Sequence, residues 1–172
     1  MHLVLDALPH APLRADGDDV SARNPGSLVV GLGQWAAGDD GVGLLVARLV
    51  AAQGVAALES SDATVLVTIL AEGRRVILVD AIVGAGIAGQ VLHLRPDDLA
   101  EGRTPVSCHG IGVPAALALA GMLHGPDVLR TVDIVGVTVG GEPTVGSGVS
   151  AAVAAAVEPA TLLAIRLARS RR

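Results

Sequence analysis

The chain has 172 residues, of which 51% are hydrophobic, 17% charged and 1% aromatic, with a formal net charge of −5 and a mean hydropathy of +0.60. That length suits one compact domain, and a chain with no Phe, no Tyr and one Trp must build its core from Ala, Val, Leu and Ile, a composition suited to helices packed closely on a sheet. All 12 basic residues are Arg, which excludes lysine Schiff bases and Walker-type phosphate loops; the negative charge and lack of stacking aromatics argue against nucleic acid, and the lone Cys108 excludes an intrachain disulfide or multi-cysteine metal centre.

Residues 1–27 mix Pro9, Pro12 and Pro25 with Arg14, Asp16, Asp18 and Asp19, a composition that predicts a flexible N-terminal extension ahead of a single α/β domain over 28–172. Met1 to His10 carries no basic leader or continuous apolar stretch, so no secretory signal is expected. Apolar runs elsewhere are broken before the roughly 20 residues needed to cross a bilayer. The expectation is a soluble cytoplasmic protein with no membrane partner.

Leu28 to Val30 reads as a strand running into Gly31-Leu32-Gly33, followed after a loop by a helix over Val42 to Gln53. Val55 to Leu58 predicts a second strand and Ala63 to Ala71 a second helix. Arg75 to Asp80 is apolar at nearly every position and predicts a strand buried on both faces. Gly84, Gly86 and Gly89 then mark a turn before Gln90 to Leu94, a candidate antiparallel edge strand. Val113 to Leu123 predicts a helix with Pro114 in its first turn, Val132 to Val139 another buried strand, and Val149 to Val157 with Thr161 to Ala168 one or two closing helices. This alternation predicts a three-layer α/β/α sandwich with a twisted, mostly parallel sheet, whose ligands bind beyond the carboxyl ends of the strands.

Three polar clusters fall near those ends: Gly31 to Gly43 with Asp39 and Asp40, Val79-Asp80-Ala81, and Ser107-Cys108-His109-Gly110. Brought together, two carboxylates and an imidazole suit a divalent transition metal with open positions for water or a partner's atoms. Equally, Asp39 or Asp40 can cap the following helix, Asp80 a turn, and His109 can bond to backbone. A dinucleotide loop is disfavoured because Trp35 and Ala36 stand where its third glycine belongs, and because two aspartates at a helix start repel pyrophosphate. Adjacent Ser107, Cys108 and His109 do not make a triad, which draws on distant segments. Trp35 is either a partner-binding anchor or a space-filler. His93 and His124 fit an edge strand and a helix end.

In their order and spacing these motifs, with Ile134-Val135-Gly136-Val137 and Gly146-Ser147-Gly148-Val149-Ser150, resemble the maturation endopeptidases of nickel–iron hydrogenases, from about Ser27 to Ala168. The resemblance implies a twisted sheet flanked by helices, and an aspartic-type endopeptidase that removes a C-terminal extension from the hydrogenase large-subunit precursor after nickel insertion. It implies that Asp40, Asp80 and His109 contact nickel carried by the substrate, with Asp39 a weaker neighbour of Asp40. Asp40 or Asp80 then also serves as the catalytic base toward water. The position after Gly33, here Gln34, is usually Asn in the family. The competing expectation is a non-catalytic module, either a Rossmann-like nucleotide binder or a nickel-dependent docking chaperone.

Overall fold

The computed structural model describes residues 26–83, 86–100, 112–140 and 148–170. Five strands, β1 (Ser27–Leu32), β2 (Ala57–Ser60), β3 (Arg75–Val83), β4 (Val91–Leu94) and β5 (Val132–Val139), alternate with helices α1 (Val42–Ala52), α2 (Val65–Ala71), α3 (Pro96–Ala100), α4 (Val113–His124) and α5 (Ala151–Arg169). The sheet runs β2-β1-β3-β5-β4, parallel except for β4, which pairs antiparallel with β5. The expected α/β sandwich is therefore present, antiparallel edge included. Residues 1–25 of the expected extension lie outside the described residues, and Ser27, assigned to it, already pairs with Arg75.

Strand periodicity divides the core. Leu28, Val30, Leu32, Val76, Leu78, Val132 and Ile134 pack with buried residues of α2 and α4. Their odd-numbered neighbours Val29, Ile77, Val79, Val135 and Val137 pack with α1 and α5 on the opposite face. Both faces of the central strands are covered, as parallel sheets require. The chain runs outward from β1 to β2 and then back past β1 to β3, its connecting helices on opposite faces, so the order reverses between β1 and β3. Crevices at such reversals take ligands in doubly wound sheets.

Several elements differ from expectation for local reasons. The second strand starts at Ala57 instead of Val55, because the Val55 amide donates to Val50 O and closes the end of α1. The second helix starts at Val65 because Asp62 first closes a turn, accepting from Thr64 N at 2.8 Å and Thr64 Oγ1 at 2.7 Å. The third strand continues past Asp80 to Val83 because β5 pairs with it as far as Val83↔Val139. Asp80 thus lies within a strand. The closing segment is one helix: Pro159 removes a single amide donor, and the flanking turns continue through it. This apolar 19-residue helix has the length and hydropathy of a membrane span, but Val153, Ala156, Ala160 and Ala164 seat it on the sheet.

The largest surprise is Asp133, a fully buried carboxylate inside β5. Its Oδ2 accepts from Arg75 Nη2 at 2.8 Å, and its Oδ1 lies 2.8 Å from His93 Nε2 and 3.2 Å from Arg95 Nη1. Arg75 Nη1 also donates to Leu167 O and Ser170 O at the end of α5, while Arg95 Nη1 donates to Val132 O. One carboxylate thereby ties β3, β4, β5 and α5 together. Burial opposes its charge, yet hydrogen bonds from Arg75 and His93 and the charges of Arg95 and Arg75 hold it below its ordinary value of 3.8.

Removing one partner of a buried ionic cluster strands the others, so Asp133→Ala should cost about 3–5 kcal/mol in chemical denaturation at pH 7. Because folding lowers the Asp133 pKa, its stabilisation is complete above 3.8 and is lost as pH falls through the lower folded value. The stability gap between wild type and variant should therefore narrow on acidification. A gap below 1 kcal/mol at pH 7 would show that the cluster contributes little.

Candidate active site

The first site residue is positioned by glycines. A Cβ on Gly31 would overlap Gly43 O, and one on Gly43 would overlap Leu32 O and come within 2.5 Å of Val79 O. Only a glycine pair lets α1 approach β1 and β3 this closely. Gly33, at φ +145°, brings the chain against Asp40 O, where a Cβ would also overlap. Residues Gly38–Gly41 then form a 3-10 turn leading directly into α1.

This loop separates the two adjacent aspartates. Neither carboxylate caps α1, whose N-cap is Gly41 with no side-chain hydrogen bond. Asp39 Oδ1 accepts from Ser150 N, at the N-cap of α5, so Asp39 links the loop to the closing helix. Asp40 Oδ2 accepts from Gln34 N at 2.8 Å, and the Asp40 side chain lines a cavity of about 20 Å³ shared with Leu32, Gly33, Gln34, Ser61, Ala63 and Asp80. That volume fits about one water-sized group.

Asp80 reaches the cavity from β3. It follows the last residue of that strand paired to β1, Val79↔Gly31, and belongs to the face carrying Val76 and Leu78, toward α2 and α4. Its Oδ1 accepts from Ala81 N at 2.9 Å. Burial, reinforced by the negative charge of Asp40 and opposed only by the Ala81 amide, pushes the Asp80 carboxyl up to about 7. Asp80 and Asp133 thus sit in one sheet with opposite shifts, since two arginines and a histidine face one and a carboxylate faces the other.

The structure therefore brings Asp40 and Asp80 together at the β1/β3 reversal. Ser107, Cys108 and His109 lie outside the described residues. Among the described residues, no group of three or more His, Cys, Asp or Glu is arranged to hold a metal. His93 binds Asp133 and His124 ends α4, away from the carboxylate pair. Sequence reading missed Gln34 N as the donor that orients Asp40, because a backbone donor leaves no trace in residue type. It also missed a larger groove of about 550 Å³, lined by Gly33, Gln34, Trp35, Ala36, Leu44, Glu59, Ser60 and Ser61, which adjoins the cavity through Gly33, Gln34 and Ser61.

Fold and site together define a doubly wound α/β protein with a carboxylate pair, one member holding its proton near neutrality, in the crevice at its switch point. Residues 61–167 match the family model for hydrogenase maturation proteases, and the chain belongs to that family of peptidases. No curated protein sequence matches it. Among solved structures it is similar to the [NiFe] hydrogenase maturation protease HybD from Thermococcus kodakarensis, with 26% identity over 84% of this chain and 99% of that one and a TM-score of 0.68. The hydrogenase maturating endopeptidase HybD from E. coli shares 23% identity over 80% of this chain and 88% of that one, with a TM-score of 0.62. A HycI maturation protease from Thermococcus kodakarensis shares 22% over 87% and 96%, with a TM-score of 0.60.

Because folding raises the Asp80 pKa from 3.8 to about 7, the native state holds a proton that the unfolded chain releases, and stability falls as pH rises between those values. Asp80→Asn removes this penalty. The variant should gain up to roughly 4 kcal/mol on wild type at pH 8, with the gain vanishing near pH 4. Denaturant titrations at the two pH values measure it, and an equal difference at both would mean that Asp80 titrates normally.

Proposed function

We propose that the chain is an aspartic-type endopeptidase that removes the C-terminal extension of a nickel–iron hydrogenase large-subunit precursor in the cytoplasm, after nickel insertion, and that the nickel held by the precursor is its recognition element. The observation that carries this reading is the Asp40–Asp80 pair around a cavity sized for one small group, opening onto a groove. Asp40 and Asp80 offer oxygen ligands that complete the coordination of a metal arriving with the substrate. His109 precedes Gly112, the N-cap of α4, by three positions, and α4 packs with α2 on the face toward which Asp80 points. That sequence position supports His109 as the third ligand.

Holding the nickel fixes the adjoining peptide beside the carboxylates, and orientation then supplies part of the rate. Here Asp80 gives up its proton as it ligates the precursor's nickel, and Asp40 takes a proton from the attacking water and passes it to the leaving amine. Water adds to the carbonyl carbon, the C–N bond breaks, and the extension leaves with its amine protonated. Gly31, Gly33 and Gly43 are packed against backbone, so these three glycines do not form an open phosphate cradle of the kind the nucleotide-binding alternative needs.

Incubating the protein with nickel-loaded and nickel-free precursor and measuring precursor mass tests the reading. Loss of a C-terminal fragment from the nickel-loaded form alone is expected. Loss from neither form overturns the proposal, and stable binding without a mass change would instead identify a docking chaperone. Asp80→Asn and His109→Ala should each abolish cleavage while circular dichroism stays native; unchanged cleavage by either variant removes that residue from the site.

A further inference from the structure

The groove beside the carboxylates has one wall that the proposed chemistry leaves unexplained. Trp35, the sole Trp of a chain without Phe or Tyr, is 43% exposed and so does not fill the core. Its ring carries the Arg48 guanidinium 4.5 Å from the centroid. Arg48 is itself held by Glu59 through two bonds, Nε to Oε1 and Nη2 to Oε2, each 3.0 Å. Stacking and a fork-shaped ion pair both favour a defined guanidinium plane. The loop after β1, the helix α1 and the edge strand β2 thus converge to brace one exposed indole.

Exposed surface pairs of this kind contribute little to folding, whereas a rigid, partly exposed Trp beside a cleft has the properties of a binding anchor. The groove also has directional features. It adjoins the Asp40–Asp80 cavity, sharing Gly33, Gln34 and Ser61 with it, and one side is the end of β2, whose outer edge has no strand partner among the described residues. An unpaired strand edge offers backbone donors and acceptors to an extended peptide. Trp35 and Ala36 add apolar surface over the buried Leu44, while the Glu59 charge is engaged by Arg48. These features select an extended segment bearing an apolar side chain.

We propose that Trp35, braced by Arg48 and Glu59, is a specificity-determining residue whose indole receives an apolar side chain of the extended precursor segment next to the scissile bond. The proposal rests on the endopeptidase reading but concerns binding and not the chemical step. Loss of Trp35 therefore weakens substrate capture and spares turnover once substrate is bound.

A single tryptophan makes the test direct. Protein carrying 5-fluorotryptophan gives one fluorine resonance, from Trp35, and an unlabelled nickel-loaded precursor adds none. Titration with that precursor should move the resonance. In parallel, Trp35→Ala should raise KM for precursor roughly tenfold with kcat within about twofold, Trp35→Leu should recover part of the loss, and Arg48→Met should give an intermediate KM. Cleavage that proceeds with an unmoved resonance, or a Trp35→Ala variant with unchanged KM, overturns the proposal. A moved resonance with no cleavage of either precursor form would support the groove while refuting the endopeptidase reading.

Discussion

The close approach of α1 to the sheet is the constraint on which the site depends. Helices normally stand off a sheet by the thickness of their side chains, but Gly31 and Gly43 let backbone meet backbone, and no Cβ fits at either position. Once α1 lies that low, its first turn sits against Leu32 at the end of β1 and Val79 in the middle of β3. The connection from Leu32 must then fold back sharply, which the left-handed Gly33 permits. Asp40, one residue before the N-cap of α1, inherits its position from this packing and faces Asp80 without any direct link between the two carboxylates. The aliphatic composition serves the same end, since a core of Ala and Val leaves room for helices to lie close.

The two ends of the sheet show how one residue type acquires opposite properties. At the start of β5, Asp133 is desolvated but surrounded by Arg75, Arg95 and His93, and it stays charged. Toward the other end of β3, Asp80 is desolvated beside another carboxylate and holds its proton. The first arrangement joins three strands and a helix and has a structural use. The second is unfavourable for folding at neutral pH, and strained electrostatics of this kind mark functional sites more often than scaffolds.

Much of the fold was legible in the residues, because apolar periodicity and glycine punctuation are local signals. The α/β class and the antiparallel edge followed from chain order, whereas the pairing of Asp40 with Asp80 came from the family resemblance, since the residues alone equally allowed helix and turn capping. Asp133 was illegible for the complementary reason. It looks like an interruption in the apolar run Val132 to Val139, and its partners Arg75, His93 and Arg95 lie 58, 40 and about 38 positions away. No local pattern specifies that convergence. The separate fates of Asp39 and Asp40 were similarly hidden, because adjacent residues on a 3-10 turn diverge by the angle between successive side chains, and only the distant Ser150 reveals where Asp39 goes.

On the proposed reading, a site whose metal arrives with the substrate has a purpose. A protease that gates cleavage on nickel in its substrate gains nothing by holding nickel itself, because a resident ion would satisfy the carboxylates whether or not the precursor was loaded. Discrimination between loaded and unloaded precursor can be no larger than the difference in their interaction with the site. With the Asp80 pKa pushed up to about 7, a free divalent ion is disfavoured near neutrality, since that proton must leave before the carboxylate can bind. A nickel already anchored by the precursor meets the same carboxylates at high effective concentration, together with the peptide contacts of the groove. The raised Asp80 pKa and the adjoining groove thus act in one direction: they disfavour the free ion and favour the ion delivered on its protein.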